Sequence, residues 1–282
     1  MIVSQTTSQD ALVGEKIHLR QGVDLQVCYS PGKSPALVFL HGGLGNRFNL
    51  RSQSEFAQSQ GWQALSYDLG GHGQSSPYAR YSIGRHCRDL HRLLNRYRIT
   101  SPILCCHSYG VPIGLEFAQK YPVSGIIAIA GGTHDLAPWW EIPLMKFMAW
   151  FGRHLYRLPG VQRLTNLAST SYRNSVMARF FQENPAPTNF HAYTALEIFW
   201  KYNFFSRHSS PQMDMPILVI TAGKDPMFSA AMGDELVSHF SKGTHLHVPE
   251  AGHLVMAECP ETVNCAIAIW LNQYVLISTR LA

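Results

Sequence analysis

Short, continuous apolar runs, each ended by a glycine-rich or polar turn, recur along the chain and predict strands buried on both faces of a sheet. They occupy residues 36–40, 64–68, 103–106, 125–130 and 217–221, and a further strand is expected at 244–248. Two alternating segments, 16–20 and 24–29, predict a hairpin of edge strands. Helical patterns separate the later runs, one of them with Ser82 as its N-cap. This alternation predicts an α/β fold, with a mostly parallel eight-stranded sheet and helices on both faces.

The strand pattern stops between residues 133 and 213, where aromatic residues at helical spacing dominate. No second set of strand signals occurs there, so the segment predicts a helical cap inserted after the sixth strand. The expected domains are a core made of residues 1–132 and 214–282 and a cap made of residues 133–213.

Composition narrows the class of protein. The 282 residues are 46% hydrophobic and 15% charged, which is typical of a globular chain with a substantial core. The net charge of +5 is spread along the chain without a dense Lys/Arg run, so no nucleic-acid partner is expected. The mild basic bias leaves acidic substrates or membrane surfaces open, although general solubility is the favoured explanation.

No apolar stretch is long enough for an integral membrane segment, and the polar N-terminus shows no secretory signal. The six cysteines lack metal-ligand spacing, and His245 and His247 share a strand face without a third ligand. We therefore expect a cytoplasmic protein with reduced thiols, no metal and no cofactor, as a monomer or homodimer.

The run at 103–106 leads into Ser108, then Gly110 and a helical pattern. A strand, a sharp turn and a helix in succession lift a serine hydroxyl clear of the sheet, where it can act as a nucleophile. The turn needs small residues two positions before and after the serine. Gly110 meets this need, whereas Cys106 stands where glycine is usual. A serine that merely caps a helix explains this pentapeptide equally well.

A serine nucleophile needs a base to take its proton and a carboxylate to orient that base. Asp225 and His253 follow later strands, in the chain order typical of this arrangement. Because the carboxyl ends of parallel strands meet at one edge of the sheet, we expect Ser108, Asp225 and His253 to converge. The alternatives are that Asp135 is the acid, that Asp225 only caps a turn, or that His253 is a surface residue.

Two backbone amides are candidates for holding the negative oxygen that forms in such a reaction. Gly43 lies in a glycine-rich loop after the strand at 36–40, and Tyr109 lies at the start of a helix, where the dipole favours negative charge. Together they predict an oxyanion hole.

Five ordered motifs resemble those of the α/β-hydrolase superfamily over nearly the whole chain. They are His-Gly-Gly-x-Gly at 41–45, Asp-x-Gly-Gly-His-Gly-x-Ser at 68–75, the serine turn at 106–110, Gly-x-Asp at 223–225 and Gly-His at 252–253. The tail at 252–264 and the serine turn are also similar to the abhydrolase-domain-containing protein 8 group. The resemblance implies that Ser108 is the nucleophile, His253 the base and Asp225 the acid, with oxyanion donors at Gly43 and Tyr109.

The expected activity is hydrolysis of an ester-like bond in a small, hydrophobic substrate through an acyl-enzyme. The adjacent Trp139 and Trp140 are candidates for lining the substrate pocket, although the aromatic residues of the cap can equally form its own core. A carbon–carbon bond hydrolase and a non-catalytic ligand receptor are the alternatives on the same scaffold.

Overall fold

A computed structural model describes residues 14–20, 22–136, 139–155, 158, 175–185, 187, 190–208 and 213–276. The N-terminal segment considered for a secretory signal lies largely outside these ranges, as do parts of the expected cap. The strands form one eight-stranded sheet in the order β1-β2-β4-β3-β5-β6-β7-β8. Their bounds are β1 Glu15–Arg20, β2 Val23–Ser30, β3 Lys33–Leu40, β4 Trp62–Tyr67, β5 Ile103–His107, β6 Gly125–Ile129, β7 Ile217–Ala222 and β8 Gly243–Val248.

Only β2 runs against its neighbours, since it pairs antiparallel with both β1 and β4, while the pairs from β4 to β8 are parallel. The parallel strands therefore present their carboxyl ends at a common edge. The predicted fold class, a mostly parallel eight-stranded α/β sheet, is confirmed.

Helices cover both faces of the sheet. Their bounds are α1 Arg51–Ser59, α2 Ile83–Arg96, α3 Gly110–Ala118, α4 Glu141–His154, α5 Ser175–Glu183, α6 His191–Ala195, α7 Phe204–Arg207, α8 Ala230–Ser238, α9 Val255–Glu258 and α10 Pro260–Leu271. Short 3-10 segments lie at His134–Leu136 and Leu196–Lys201, and a π-helical turn lies at Asn272–Leu276.

Two hydrophobic clusters, one on each face, explain the continuous apolar runs. Within β5, Leu104 and Cys106 join the cluster that includes α2, α3 and α8, whereas Ile103 and Cys105 join the cluster with α1 and α10. Since successive side chains of a strand point to opposite faces, a strand covered on both sides must be apolar at every position.

Of two helix starts predicted from the sequence, one is confirmed and the other is wrong. Ser82 caps α2, as expected, by accepting a hydrogen bond from the amide of Arg85 at 3.2 Å. The sequence Ser52-x-x-Glu55 also predicts a capping box, but α1 begins earlier, at Arg51, and Ser52 lies inside it. The preceding turn, in which the amide of Arg51 donates to the carbonyl of Phe48, already starts this helix, and Glu55 forms an ion pair with Arg51.

Between β6 and β7 the described elements, from the 3-10 turn at His134–Leu136 to α7, are all helical and are joined by turns and irregular segments. Its division from the core as a separate cap domain stays a prediction. In the described part of the chain, no helix is both long and apolar enough to cross a bilayer.

Glu116 on α3 ties this inserted segment to the core. Its carboxylate is only 2% exposed and accepts hydrogen bonds from Tyr202 Oη at 2.5 Å, from His208 Nε2 at 2.7 Å and from Lys120 Nζ. Burial alone would raise the pKa of Glu116, but the hydrogen bonds from Lys120, Tyr202 and His208 outweigh burial and lower it to about 2.

We expect Glu116→Gln to remove a pH-dependent part of the stability. The pKa of Glu116 lies at about 2 in the folded protein against 4.5 ordinarily, so its stabilisation is complete above pH 4.5 and is lost as the pH falls towards 2. The shift corresponds to about 3 kcal/mol at neutral pH. Urea unfolding at several pH values should show the wild type and the variant converging in acid.

The matched control is Glu235→Gln, which changes an exposed carboxylate on α8. Its difference from the wild type should be small and nearly independent of pH. A Glu116→Gln variant whose deficit stays constant from neutral pH to pH 3 would contradict this account.

Gly114 lets α3 approach β5 closely. A Cβ at this position would lie 2.6 Å from Cys106 Sγ, which is too close for two unbonded atoms. The bulk of Cys106, unusual before a serine turn, is thus accommodated by the absence of a side chain across the helix–sheet interface.

Gly114→Ala should therefore lower the free energy of unfolding by about 1–3 kcal/mol through overpacking. In a Cys106→Ala background the sulfur is absent, so Gly114→Ala should lower the free energy of unfolding only slightly. A double-mutant cycle measured by urea unfolding should therefore give a clear coupling energy between the two positions. Gly84→Ala is the control, because a Cβ there would meet only Arg88 Nη1, at 3.7 Å. Simple additivity of the two changes would refute the packing explanation.

Candidate active site

The turn from β5 into α3 places Ser108 at the carboxyl edge of the sheet. Ser108 has φ +47°, in the left-handed region that side chains rarely occupy, and its amide donates to the carbonyl of Ile129 on β6 at 3.0 Å. A Cβ at Gly131 would lie 2.6 Å from Ser108 Cα, and one at Gly110 would lie 2.5 Å from the carbonyl oxygen of Leu40. The turn fits only because both positions lack side chains.

The loops after β7 and β8 bring two further predicted residues to Ser108. His253 Nε2 lies 3.1 Å from Ser108 Oγ, and His253 Nδ1 lies 2.9 Å from Asp225 Oδ2. A carboxylate oxygen can only accept, so Nδ1 carries the proton and Nε2 is free to accept from the serine hydroxyl. The Asp225 side chain is fully buried, and its other oxygen accepts from the amide of Met227 at 2.8 Å.

Asp135, the alternative acid, is engaged elsewhere. Its oxygens accept from the amides of Phe204 and Ser206, at 2.9 and 3.0 Å, and so hold the start of α7. The structure brings Asp225, and not Asp135, to His253.

The glycine-rich loop after β3 lies beside the serine turn. A Cβ at Gly42 would lie 3.3 Å from Ser108 Cβ, and one at Gly43 would lie 3.6 Å from Tyr109 Cβ. The two predicted oxyanion donors, Gly43 and Tyr109, are therefore neighbours, and Tyr109 immediately precedes α3, where backbone N–H groups lack helical partners.

His41 and Asn49 hold this loop in place. His41 Nε2 accepts from the amide of Leu69 at 2.9 Å, so its Nδ1 carries the proton and donates to the carbonyl of Gly42 at 2.7 Å. Burial lowers the pKa of His41 to about 4, which keeps this tautomer neutral. Asn49 Oδ1 accepts from the amide of Gly42 at 3.0 Å.

His107, the neighbour of the serine, points beneath it and contacts two other loops. Its Nδ1 lies 2.8 Å from Asn49 Oδ1, and its Nε2 lies 3.1 Å from the backbone oxygen of His253. Burial lowers the pKa of His107 to about 3, so the ring is neutral and its single N–H serves one of these acceptors at a time. This placement favours a structural role for His107 over proton transfer.

The side chain of Tyr109 extends away from Ser108 into the interior. Its hydroxyl donates to the carbonyl of Ala195 on α6 at 3.1 Å and lies 3.3 Å from His86 Nε2. The residue that follows the serine is thus bonded to the inserted segment.

A cavity of about 320 Å³ opens above Ser108 and His253, a size suited to a small ligand. The rest of its described lining is shared. The core supplies Gly43, Leu44, Gly45, Asn49, His107 and Leu254, and the inserted segment supplies Asn184 and five apolar side chains. These are Phe180, Phe181, Pro185, Pro187 and Tyr193.

The two tryptophans expected in the pocket are placed elsewhere. Neither Trp139 nor Trp140 is among the described residues that line the cavity, and Trp139 is 88% exposed. The sequence showed that aromatic residues are frequent in this segment, but it carried no signal for which of them face Ser108.

The role of Asn49 was also missed by the sequence analysis, since an isolated asparagine nine residues after a strand has no distinctive pattern.

The geometry permits nucleophilic chemistry and offers no metal centre within the described ranges. No group of three or more His, Cys, Asp or Glu side chains is placed to hold an ion there. His245 and His247 instead share the hydroxyl of Thr221, at 2.8 and 2.9 Å.

Comparison with known proteins agrees with this architecture. Among curated proteins, Protein ABHD8 of Mus musculus is 25% identical over 274 residues, which are 88% of this chain and 57% of that protein, so the chain spans little more than half of it. The 3-oxoadipate enol-lactonase 2 of Acinetobacter baylyi is 25% identical over 252 residues, covering 85% of this chain and 90% of the lactonase.

A solved esterase from Exiguobacterium antarcticum superposes with a TM-score of 0.77 at 15% identity, over 92% of this chain and 99% of the esterase. The family model described as alpha/beta hydrolase fold matches residues 35–260. Because that match spans most of the chain, and the sheet and its helices agree with it, the chain belongs to the α/β-hydrolase fold family.

Proposed function

We propose that this protein is a serine hydrolase that cleaves an ester-like bond in a small, hydrophobic substrate. The observation that carries the proposal is the hydrogen-bonded line from Asp225 through His253 to Ser108, which ends at the floor of an apolar cavity. A buried carboxylate, an imidazole in the tautomer it selects and a hydroxyl in reach of the free nitrogen are the parts that nucleophilic catalysis requires.

In the acylation step, Ser108 Oγ attacks the carbonyl carbon while its proton passes to His253 Nε2. Asp225 stabilises the imidazolium that forms, because its carboxylate accepts a hydrogen bond from Nδ1, with 2.9 Å between Nδ1 and Oδ2. The carbonyl oxygen becomes negative, and the amides of Gly43 and Tyr109 donate to it. Collapse breaks the bond to the leaving oxygen, which takes the proton from His253 and departs as the alcohol.

In the deacylation step, water attacks the acyl-serine. His253 accepts a proton from the water, the same amides hold the second oxyanion, and collapse returns the proton to Ser108 Oγ. The carboxylic acid leaves and the free enzyme is restored. No cofactor enters either step.

The cavity supports an apolar acyl or alcohol group as the recognised part of the substrate. Phe180, Phe181 and Tyr193 supply aromatic surface, and the volume of about 320 Å³ limits the bound group to modest size. The names of two similar proteins, an esterase and an enol-lactonase, agree with oxygen esters as the first substrates to test.

Ser108→Ala should lower kcat towards a chromogenic short-chain ester by at least about 10⁴-fold while the variant stays folded. A fluorophosphonate probe should label the wild type at Ser108 and leave the variant unlabelled, as read by mass spectrometry. Labelling without turnover of any ester, but with turnover of a vinylogous diketone, would favour the carbon–carbon bond hydrolase. If the folded wild type shows neither labelling nor turnover, the result would favour the non-catalytic ligand receptor.

Asp225→Asn should lower kcat by about 10⁴-fold, because an amide no longer selects the tautomer with the proton on Nδ1 of His253. Asp135→Asn is the matched control, since this carboxylate holds α7 and does not reach His253. The control should keep kcat near the wild-type value and lose stability instead. The reverse pattern would assign the acid to Asp135.

A further inference from the structure

The inserted segment exposes apolar side chains that contribute little to the fold. Among the described residues, the strongly exposed large hydrophobic side chains all lie between 139 and 190, apart from Ile269. We define the aromatic face as Trp139, Leu144, Phe147 and Trp150; Phe147 is 59% exposed and Trp150 is 50% exposed. Exposed apolar side chains that are concentrated on one element mark an interaction site more often than scattered ones do.

Three members of the aromatic face lie on α4. Leu144, Phe147 and Trp150 follow one another at intervals of three, which places them on one side of the helix. The ring centroids of Phe147 and Trp150 lie 6.3 Å apart, and those of Trp150 and His154 lie 5.4 Å apart. Elsewhere α4 packs on α6 and on the 3-10 segment after it, so the helix has one partnered side and one open side.

The sequence of this part of the chain is strongly basic. In the sequence between residues 139 and 174 there is one acid, Glu141, against the basic residues Lys146, Arg153, Arg157, Arg163 and Arg173. Lys146 is exposed on α4 itself, between Leu144 and Phe147. Tryptophan and phenylalanine on one side of a helix that also carries an exposed lysine, in a basic stretch of sequence, is the pattern of helices that lie at the surface of anionic lipid.

The shape of the face favours a fluid partner over a rigid one. Trp139 is 88% exposed and projects freely, so a protein partner would need a matching pocket, whereas a lipid interface closes around any protruding ring. The 14 residues of α4 span about 21 Å, which is too short to cross a bilayer and long enough to lie in its plane.

We propose that the aromatic face of α4 binds the surface of anionic phospholipid bilayers, with the rings at headgroup depth and Lys146 near the lipid phosphates. The proposal concerns where the protein docks and does not depend on Ser108 being a nucleophile. It also places the cavity near a source of apolar molecules, because α4 packs on α6, and α6 carries Tyr193 of the cavity wall.

The test is co-sedimentation of the full chain with vesicles of phosphatidylcholine alone and with vesicles of phosphatidylcholine and phosphatidylglycerol in equal amounts. The wild type should pellet with the anionic vesicles at low salt, and less so as the ionic strength rises. Phe147→Ala combined with Trp150→Ala should weaken this partition by at least about tenfold. Lys146→Glu should weaken binding to the anionic vesicles.

Ile269→Ala is the matched control, because Ile269 is 62% exposed on α10 and lies outside the aromatic face. It should bind as the wild type does, and far-UV circular dichroism should show every variant folded. Failure of the wild type to pellet with anionic vesicles at low salt would overturn the proposal, as would equal binding by the Phe147/Trp150 variant. Sedimentation velocity adds a third outcome. If the wild type is a dimer that does not bind vesicles, and the Phe147/Trp150 variant is a monomer, the face binds a second copy of the chain.

Discussion

The left-handed turn at Ser108 is the constraint to which the neighbouring structure conforms. A serine at φ +47° is unfavourable by itself, and it persists because the sheet holds it on both sides. The amide of Ser108 is bonded to β6, while the approach of the turn to Gly131 and to Leu40 leaves no room for a side chain at positions 131 and 110. The backbone of the turn thereby holds the hydroxyl at the edge of the sheet, where its oxygen lies 3.1 Å from His253 Nε2.

The loops around the turn form one connected polar unit beneath the cavity. Asn49 bonds the glycine-rich loop and lies within hydrogen-bond distance of His107, which in turn reaches the backbone of His253. His41 fixes the same glycine-rich loop to the exit of β4. Asn49, His41 and His107 are buried, and burial keeps the two histidines neutral, so the unit orients the loops without placing a competing charge near Asp225.

The sequence predicted the sheet well because its signals are local. A run such as 103–106 is apolar at every position, since both faces of its strand are covered, and the turn residues that end each strand are chemically distinctive. The same logic placed Ser108, Asp225 and His253 at strand ends, and the structure brings their side chains together; their catalytic roles stay a prediction. The capping box at Ser52 was wrong because a turn before Arg51 starts α1 earlier.

The lining of the cavity could not be predicted in this way. Trp139 and Trp140 are as aromatic as Phe180 and Tyr193, and only long-range contacts decide which of them reach the core. Those contacts include the hydrogen bonds of Glu116 to Tyr202 and His208, which join residues far apart in the chain.

The hydroxyl of Tyr109 connects the serine turn to the inserted segment, because it is hydrogen-bonded to the carbonyl of Ala195 on α6. Any displacement of α6 away from the sheet must break that bond or pull on Tyr109, the residue next to Ser108. Movement of α6 and the alignment of the backbone amide of Tyr109 are therefore mechanically linked.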